Sequence, residues 1–169
     1  MIDYEIADEF DVDVEGFWAM FFSDEYNDAL WPAIDVERTQ AEFRREGEGD
    51  DEVIHRVVDL VPQRDVPAAL KKIVKGAIGY QERNVFRRRD NTMEVVTIPT
   101  FFSDRFESTG TFKVVPAGEG RCRRVYAGKV ACSVPLVGRK VERIVVDEVE
   151  QSYTRSTAFT RKWIKDHAG

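Results

Sequence analysis

The chain has 169 residues, 43% of them hydrophobic, which is enough for one domain with a substantial apolar core. Its formal net charge of -6 disfavours nucleic-acid binding, since that binding depends on a basic surface. The two local arginine clusters, at residues 87–89 and 121–124, are interpreted as solvated hairpin tips. No apolar run approaches the length of a membrane span and no signal-peptide pattern opens the chain, so we expect a cytoplasmic protein.

Residues 1–33 predict one strand followed by two short helices. Apolar and acidic residues alternate over residues 2–6, which indicates a strand. An aspartate at position 11 or 13 can cap a short helix that extends through Phe21. Ser23 begins the second helix, and Pro32 ends it.

Six strand-like runs follow, most of them joined by short turns rich in Gly, Pro, Asn or Asp. They span residues 34–45, 52–61, 78–89, 92–98, 105–115 and 122–134. Because the connections are mostly short and carry no strand–helix–strand crossovers, they predict an antiparallel meander. With the first strand added, the fold class is α+β with a seven-stranded curved antiparallel sheet. The runs at 52–61 and 92–98 are apolar on both faces, so the alternation does not orient them.

The last part of the chain, residues 135–165, predicts one long helix with an apolar stripe. At about 100° per residue, Glu148, Ser152 and Arg155 fall within this stripe. A helix over a dry core would not carry a carboxylate there, because burying an unpaired charge is costly. The pattern therefore favours a helix that forms one wall of a pocket.

One connection, residues 62–76, is long enough for a helix of two turns. Asp65 can cap it and Pro67 can start it, with Leu70, Ile73 and Val74 on one face and three lysines on the other. The segment is either a core-packing connector or a lid of a cavity. As a basic amphipathic helix, residues 66–75 would also suit transient contact with an anionic membrane surface.

Several short motifs in this order carry a resemblance to a known superfamily. They are Trp31-Pro32, Asp65-Val66-Pro67, Thr97-Ile98-Pro99, Thr109-Gly110-Thr111-Phe112, and the run from Val134 through Glu142. Together with the order of elements, they resemble the START-like, birch-pollen-allergen-like superfamily with the helix-grip fold, and an uncharacterised bacterial group within it. The resemblance covers the whole chain, so a single START-like domain is expected over residues 1–169. It implies a sheet wrapped around the long helix, with an elongated apolar cavity between them.

The alternation of the strands and the helix stripe predict which side chains line this cavity. We expect ligand contacts from Trp31, Leu70, Ile73, Tyr80, Glu82, Phe86, Phe106, Ser108, Phe112, Tyr126, Val130, Val141, Val145, Glu148, Val149 and Ser152. For the two glutamates an alternative stays open, because each can instead pair at the cavity rim with Arg56, Arg83 or Arg155.

The sequence offers little for catalysis. His55 and His167 are the two histidines, and no cluster of residues has metal-ligand or cofactor-binding spacing, so no metal and no cofactor are predicted. The favoured hypothesis is therefore binding and transfer of a hydrophobic small molecule, such as a lipid, fatty acid or sterol-like compound. One alternative is a cyclase- or hydrolase-like enzyme with Glu82 or Glu148 as general acid or base. Another is an interaction module whose cavity is filled by side chains.

Overall fold

The structure is a computed structural model and describes residues 1–168. Gly169, the last residue of the predicted domain, lies outside the described residues. Across residues 1–168 the chain forms seven strands, four α-helices and two single-turn 3-10 helices, Gly49–Asp51 and Arg88–Asp90. In chain order the strands and α-helices are β1 (Ile2–Phe10), α1 (Val14–Phe21), α2 (Asp24–Ala33), β2 (Val36–Glu46), β3 (Val53–Pro62), α3 (Ala68–Ile73), β4 (Tyr80–Arg87), β5 (Thr92–Pro99), β6 (Phe106–Pro116), β7 (Cys122–Cys132) and α4 (Gly138–His167).

The strands form one sheet in the order β1-β7-β6-β5-β4-β3-β2, and every neighbouring pair is antiparallel. Six strands follow each other as a meander, and β1 closes the far edge by pairing Ile2 with Val130 and Phe10 with Cys122. α4 packs against β7 and β1 and also contacts α2. The predicted α+β helix-grip architecture is confirmed.

Side-chain caps determine where the first two helices begin. The carboxylate of Asp13 accepts a hydrogen bond from the amide of Gly16 at 2.7 Å, and the hydroxyl of Ser23 accepts one from Tyr26 at 3.3 Å. The predicted cap at Asp65 is wrong, because Pro67 is the residue that precedes α3 and no side chain caps this helix. The side chain of Asp65 is exposed to solvent and lies 3.9 Å from the ammonium group of Lys71.

The long helix begins at Gly138, three residues later than predicted. Leu136 has a φ of 69°, a left-handed conformation that interrupts the helix at that point. Gly138 then passes so close to β7 that an added Cβ would lie 2.3 Å from the carbonyl oxygen of Cys132. The amide of Cys132 also donates to Glu142 at 2.9 Å, so the first turn of α4 is tied to the end of β7.

The core has two parts. The first packs α1 against the sheet and centres on Phe17, Trp18, Phe86 and Phe112. The second packs α2 against β2 and β3 and is covered by residues of the second half of α4, including Phe159 and Trp163. These two clusters leave a space between the inner face of the sheet and α4.

The structure also orients the two strands that the sequence left open. In β3 the buried side chains are Ile54, Arg56, Val58 and Leu60, and in β5 they include Met93 and Val95. No helix within residues 1–168 is long and apolar enough to cross a membrane.

Candidate ligand-binding site

A partly open cavity of about 240 Å³ lies between the inner face of the sheet and the helices α2, α3 and α4. Its wall is largely apolar and includes aromatic residues from α1, α2, β6 and β7, with Ile144, Val145 and Val149 from α4. Pro62 and the segment 64–67 border it beside α3, and Phe101 borders it between β5 and β6. Such a hollow offers apolar area for affinity and a small number of polar groups for orientation.

Twelve of the sixteen side chains predicted to contact a ligand lie in the wall of this cavity. They are Trp31, Leu70, Tyr80, Glu82, Phe106, Ser108, Phe112, Tyr126, Val145, Glu148, Val149 and Ser152. Their contact with a ligand stays a prediction.

The structure places the other four away from the cavity wall. Phe86 packs within the first core cluster, with its ring centroid 4.5 Å from that of Trp18. Val130 and Val141 are both 0% exposed and lie near the junction between the end of β7 and the start of α4. Ile73 ends the short helix α3, from which Leu70 reaches the cavity instead.

Arg155 does not lie in the cavity wall, although the apolar stripe of the helix includes its position. Tyr153 and Ser156 continue the cavity wall along α4, whereas Arg155 is exposed to solvent. The helical spacing placed Arg155 within the apolar stripe, close in angle to Glu148. That prediction is wrong for Arg155, because the neighbouring segments decide which part of a helix face is covered and the spacing alone does not report them.

A buried arginine, Arg56, holds the polar centre of the cavity. Its Nε donates to Oδ1 of Asn84 at 2.8 Å, its Nη1 to Oδ1 of Asn27 at 3.3 Å and its Nη2 to Oε1 of Glu82 at 3.3 Å. The guanidinium carbon lies 4.8 Å from the ring centroid of Phe21. Burial lowers the pKa of Arg56, and the Glu82 carboxylate opposes that shift. Of the three arginines predicted as alternatives, Arg56 is therefore the one that pairs with Glu82.

The second cavity glutamate, Glu148, also meets an arginine, although not one that the sequence suggested. Nη2 of Arg64, in the segment between β3 and α3, donates to Oε2 of Glu148 at 2.6 Å. Burial and the neighbouring Asp147 raise the pKa of Glu148. This ion pair joins α4 to the segment that leads into α3.

Three tyrosines form a row in the cavity wall that the sequence did not fully anticipate. The ring centroids of Tyr4 and Tyr126 are 5.9 Å apart, and those of Tyr126 and Tyr153 are 5.2 Å apart. Two glycines make room for them. A Cβ at Gly128 would lie 2.5 Å from the Tyr4 ring, and one at Gly110 would lie 2.4 Å from the Tyr126 ring. Burial raises the pKa of all three phenols, so they are neutral hydroxyls at neutral pH.

Arg124 also lines the cavity, so its interpretation as part of a solvated hairpin tip is wrong. Its side chain is 3% exposed, and its Nη2 donates to Asp8 at 2.7 Å and to Thr157 at 2.6 Å. The guanidinium carbon lies 4.9 Å from the centroid of the Tyr153 ring. The sequence did hold a signal for this position, because Arg124 has the same strand parity as the buried residues Cys122 and Tyr126.

Within residues 1–168, no group of three or more His, Cys, Asp or Glu side chains is placed to hold a metal ion. The chemistry that the cavity offers consists of hydrogen bonds from phenols, hydroxyls and guanidinium groups, with the two carboxylates as acceptors.

Solved structures of other proteins share this fold. The Zhui aromatase/cyclase from Streptomyces sp. R1128 has a TM-score of 0.68 at 11% identity, covering 99% of this chain and 96% of that one. Norcoclaurine synthase from Thalictrum flavum has a TM-score of 0.64 at 14% identity, with coverages of 99% and 88%. A START superfamily protein from Mycobacterium smegmatis has a TM-score of 0.55 at 13% identity, with coverages of 92% and 94%. The fold is therefore the START-like helix-grip fold, as the sequence predicted.

The family is established by sequence. The model of the family described as "Protein of unknown function (DUF2505)" matches residues 5–164, and the chain belongs to this family. No curated protein matches the chain.

Proposed function

We propose that the protein binds a hydrophobic small molecule, such as a lipid, fatty acid or sterol-like compound, between the sheet and α4, and transfers it. The observation that carries this proposal is the cavity of about 240 Å³ with its largely apolar wall. Ligand pockets for drug-sized molecules span about 300–1,000 Å³, so this space suits a compact ring system or a single chain better than a two-chain lipid.

The alternatives from the sequence have less support. A module with a filled interior would not keep a cavity of this size. An enzyme that used Glu82 or Glu148 as a general acid would need a protonated carboxyl group at neutral pH. Each carboxylate instead accepts a hydrogen bond from an arginine side chain of the protein, so one oxygen of each is already occupied.

Mass spectrometry tests the proposal directly. Native spectra of freshly purified protein should show a bound mass that disappears on denaturation, and the released compound should be soluble in organic solvent. Repeated preparations without any released compound, together with no binding of fluorescent lipid or sterol probes, would contradict the proposal.

Filling the cavity should abolish this binding. In a Val149→Trp variant, the added ring would occupy the space beside α4, because Val149 lies in the cavity wall. We expect the bound mass to be lost and probe affinity to fall at least about tenfold, since apolar contact area supplies most of the affinity. The matched control is Arg143→Trp on the exposed side of the same helix, which should bind as the wild type does. Equal binding by both variants would place the ligand elsewhere.

The proposal extends to residues 66–75, the lid segment, which would make transient contact with an anionic membrane surface. Lys71, Lys72 and Lys75 are exposed, whereas Leu70 on the same helix lines the cavity. The basic face of the segment is therefore exposed beside the part of the cavity wall that α3 forms. Each lysine near an anionic surface contributes about 1 kcal/mol to binding.

Charge reversal tests that contact. A Lys72→Glu/Lys75→Glu variant should lose at least about tenfold in affinity for vesicles that contain phosphatidylserine. The control variant is Lys113→Glu/Arg123→Glu, which reverses two exposed charges at the β6–β7 hairpin. Vesicle co-sedimentation, with phosphatidylcholine vesicles as the second control, provides the measurement. If both variants lost affinity equally, general electrostatics rather than the lid would explain the binding.

A further inference from the structure

Glu82 has one carboxylate oxygen that the protein leaves free. The hydrogen bonds from Arg56 and Asn84 both end on Oε1, at 3.3 Å and 3.0 Å. In the described part of the chain, Oε2 has no hydrogen-bond partner, although the side chain is only 21% exposed and lies in the cavity wall. An ionised carboxylate in such a place gains from a hydrogen-bond donor.

Phenol side chains line the same cavity as Glu82. Tyr80, Tyr126 and Tyr153 line the cavity with it. Burial raises the pKa of each phenol, and the charge of Glu82 adds a smaller contribution. None of the three phenols hydrogen-bonds to this carboxylate within residues 1–168. The carboxylate and the phenols therefore line one cavity without hydrogen-bonding to each other, so a polar group of a ligand in that cavity can contact both.

The charges around this space disfavour an ionic ligand group. Arg56 and Arg124 both line the cavity, and Arg124 lies 4.9 Å from the ring of Tyr153. A cationic group would approach two guanidinium groups, and an anionic group would approach the free oxygen of Glu82. A neutral hydroxyl can donate to the carboxylate and accept from a phenol at the same time.

We propose that the cavity ligand is uncharged and carries a hydroxyl group, as a compact alcohol or phenol, which donates to Oε2 of Glu82 and accepts from Tyr126 or Tyr153. The inference rests on the proposed binding function and narrows it, since it favours a hydroxylated, sterol-like compound over a fatty acid.

Four probes that share one ring system test the head group. Isothermal titration of 2-naphthol, naphthalene, 2-naphthoate and the cation of 1-naphthylmethylamine separates the contribution of the head group from that of the ring. Because a hydrogen bond to a charged group contributes about 1.5–3 kcal/mol, the wild type should bind 2-naphthol at least about tenfold more tightly than the other three.

Two variants test the residues that make this preference. Glu82→Gln should bring the affinity for 2-naphthol close to that for naphthalene. It should also raise the affinity for 2-naphthoate, because Arg56 would then face the cavity without its partner carboxylate. That reversal is an effect which simple loss of folding cannot produce. Tyr126→Phe should lower the affinity for 2-naphthol and leave the affinity for naphthalene unchanged. Glu107→Gln, on the solvent face of β6, is the matched control.

The outcomes separate this inference from the proposed function. Equal affinity for all four probes, or a preference for 2-naphthoate in the wild type, would overturn the hydroxyl inference and leave hydrophobic binding intact. Failure of all four probes to bind would overturn the hydroxyl inference, and the mass spectra would then decide whether the proposed function fails with it.

Discussion

Replacing Trp18 with alanine should lower the free energy of unfolding by about 3–5 kcal/mol, the range for truncating a large buried aromatic side chain. Trp18 is 1% exposed and is the centre of the first core cluster. Its ring centroid lies 4.5 Å from that of Phe86 and 5.6 Å from those of Phe17 and Phe112. The loss of this ring would leave a cavity between the sheet and α1, and neither element can readily move to close it.

Urea or guanidinium unfolding followed by circular dichroism gives the measurement, and the melting temperature should fall by roughly 6–20 °C for a chain of this size. Trp163→Ala is the matched control, because this tryptophan is only partly buried against the second cluster. Trp163→Ala should lower the free energy of unfolding clearly less than Trp18→Ala does. A loss below about 1 kcal/mol for Trp18→Ala would contradict the assignment of this ring as the centre of the core.

Local patterns were sufficient to predict the architecture. Period-two alternation with Gly and Pro turns gave the strand order of a meander, and the helical stripe gave α4, because each of these depends on near neighbours in the chain. The predicted helix starts were wrong because a helix start also depends on contacts with distant parts of the chain. Pro135 is a favourable first helical residue, but the close passage of Gly138 against Cys132 and the left-handed Leu136 depend on the sheet beside them.

Strand parity was sufficient to predict part of the cavity lining. Parity along β4 and β6 placed Tyr80, Glu82 and Ser108 on the inner face. Parity does not tell whether an inward side chain meets empty space or another element, and α1 fills the inner face beside Phe86. The partners of the charged groups were the least predictable feature, because Arg64 reaches Glu148 across 84 positions of sequence.

The core clusters and the cavity have different expected roles, the first in stability and the second in binding. The ring of Trp18 closes one part of the groove between sheet and helices, so mutations there should act on stability. The tyrosine row and Glu82 border the open part, so conservative changes there should act on binding with little effect on the fold. Arg124 belongs to both, because it lines the cavity and also joins β7 to β1 and α4.

Removal of Arg124 should therefore be strongly destabilising, and Arg124→Ala should lower the free energy of unfolding by about 3–5 kcal/mol. The change would leave Asp8 and Thr157 without their hydrogen-bond donor. It would also remove the guanidinium that lies 5.0 Å from the Phe10 ring and 4.9 Å from the Tyr153 ring. Because Tyr153 lies in the cavity wall, affinity for a cavity probe should fall together with stability.

The adjacent residue provides the matched control for this prediction. Arg123 has the same charge on the same strand but faces solvent, so Arg123→Ala should change the free energy of unfolding by less than about 0.5 kcal/mol. Arg124→Lys keeps the charge but cannot reproduce the fork of donors, so it should recover only part of the stability that alanine loses. Equal losses for Arg123→Ala and Arg124→Ala in chemical unfolding would show that both arginines act as solvated surface charges. A much larger loss at Arg124 would establish that the ionic contact between β1, β7 and α4 supports the cavity wall.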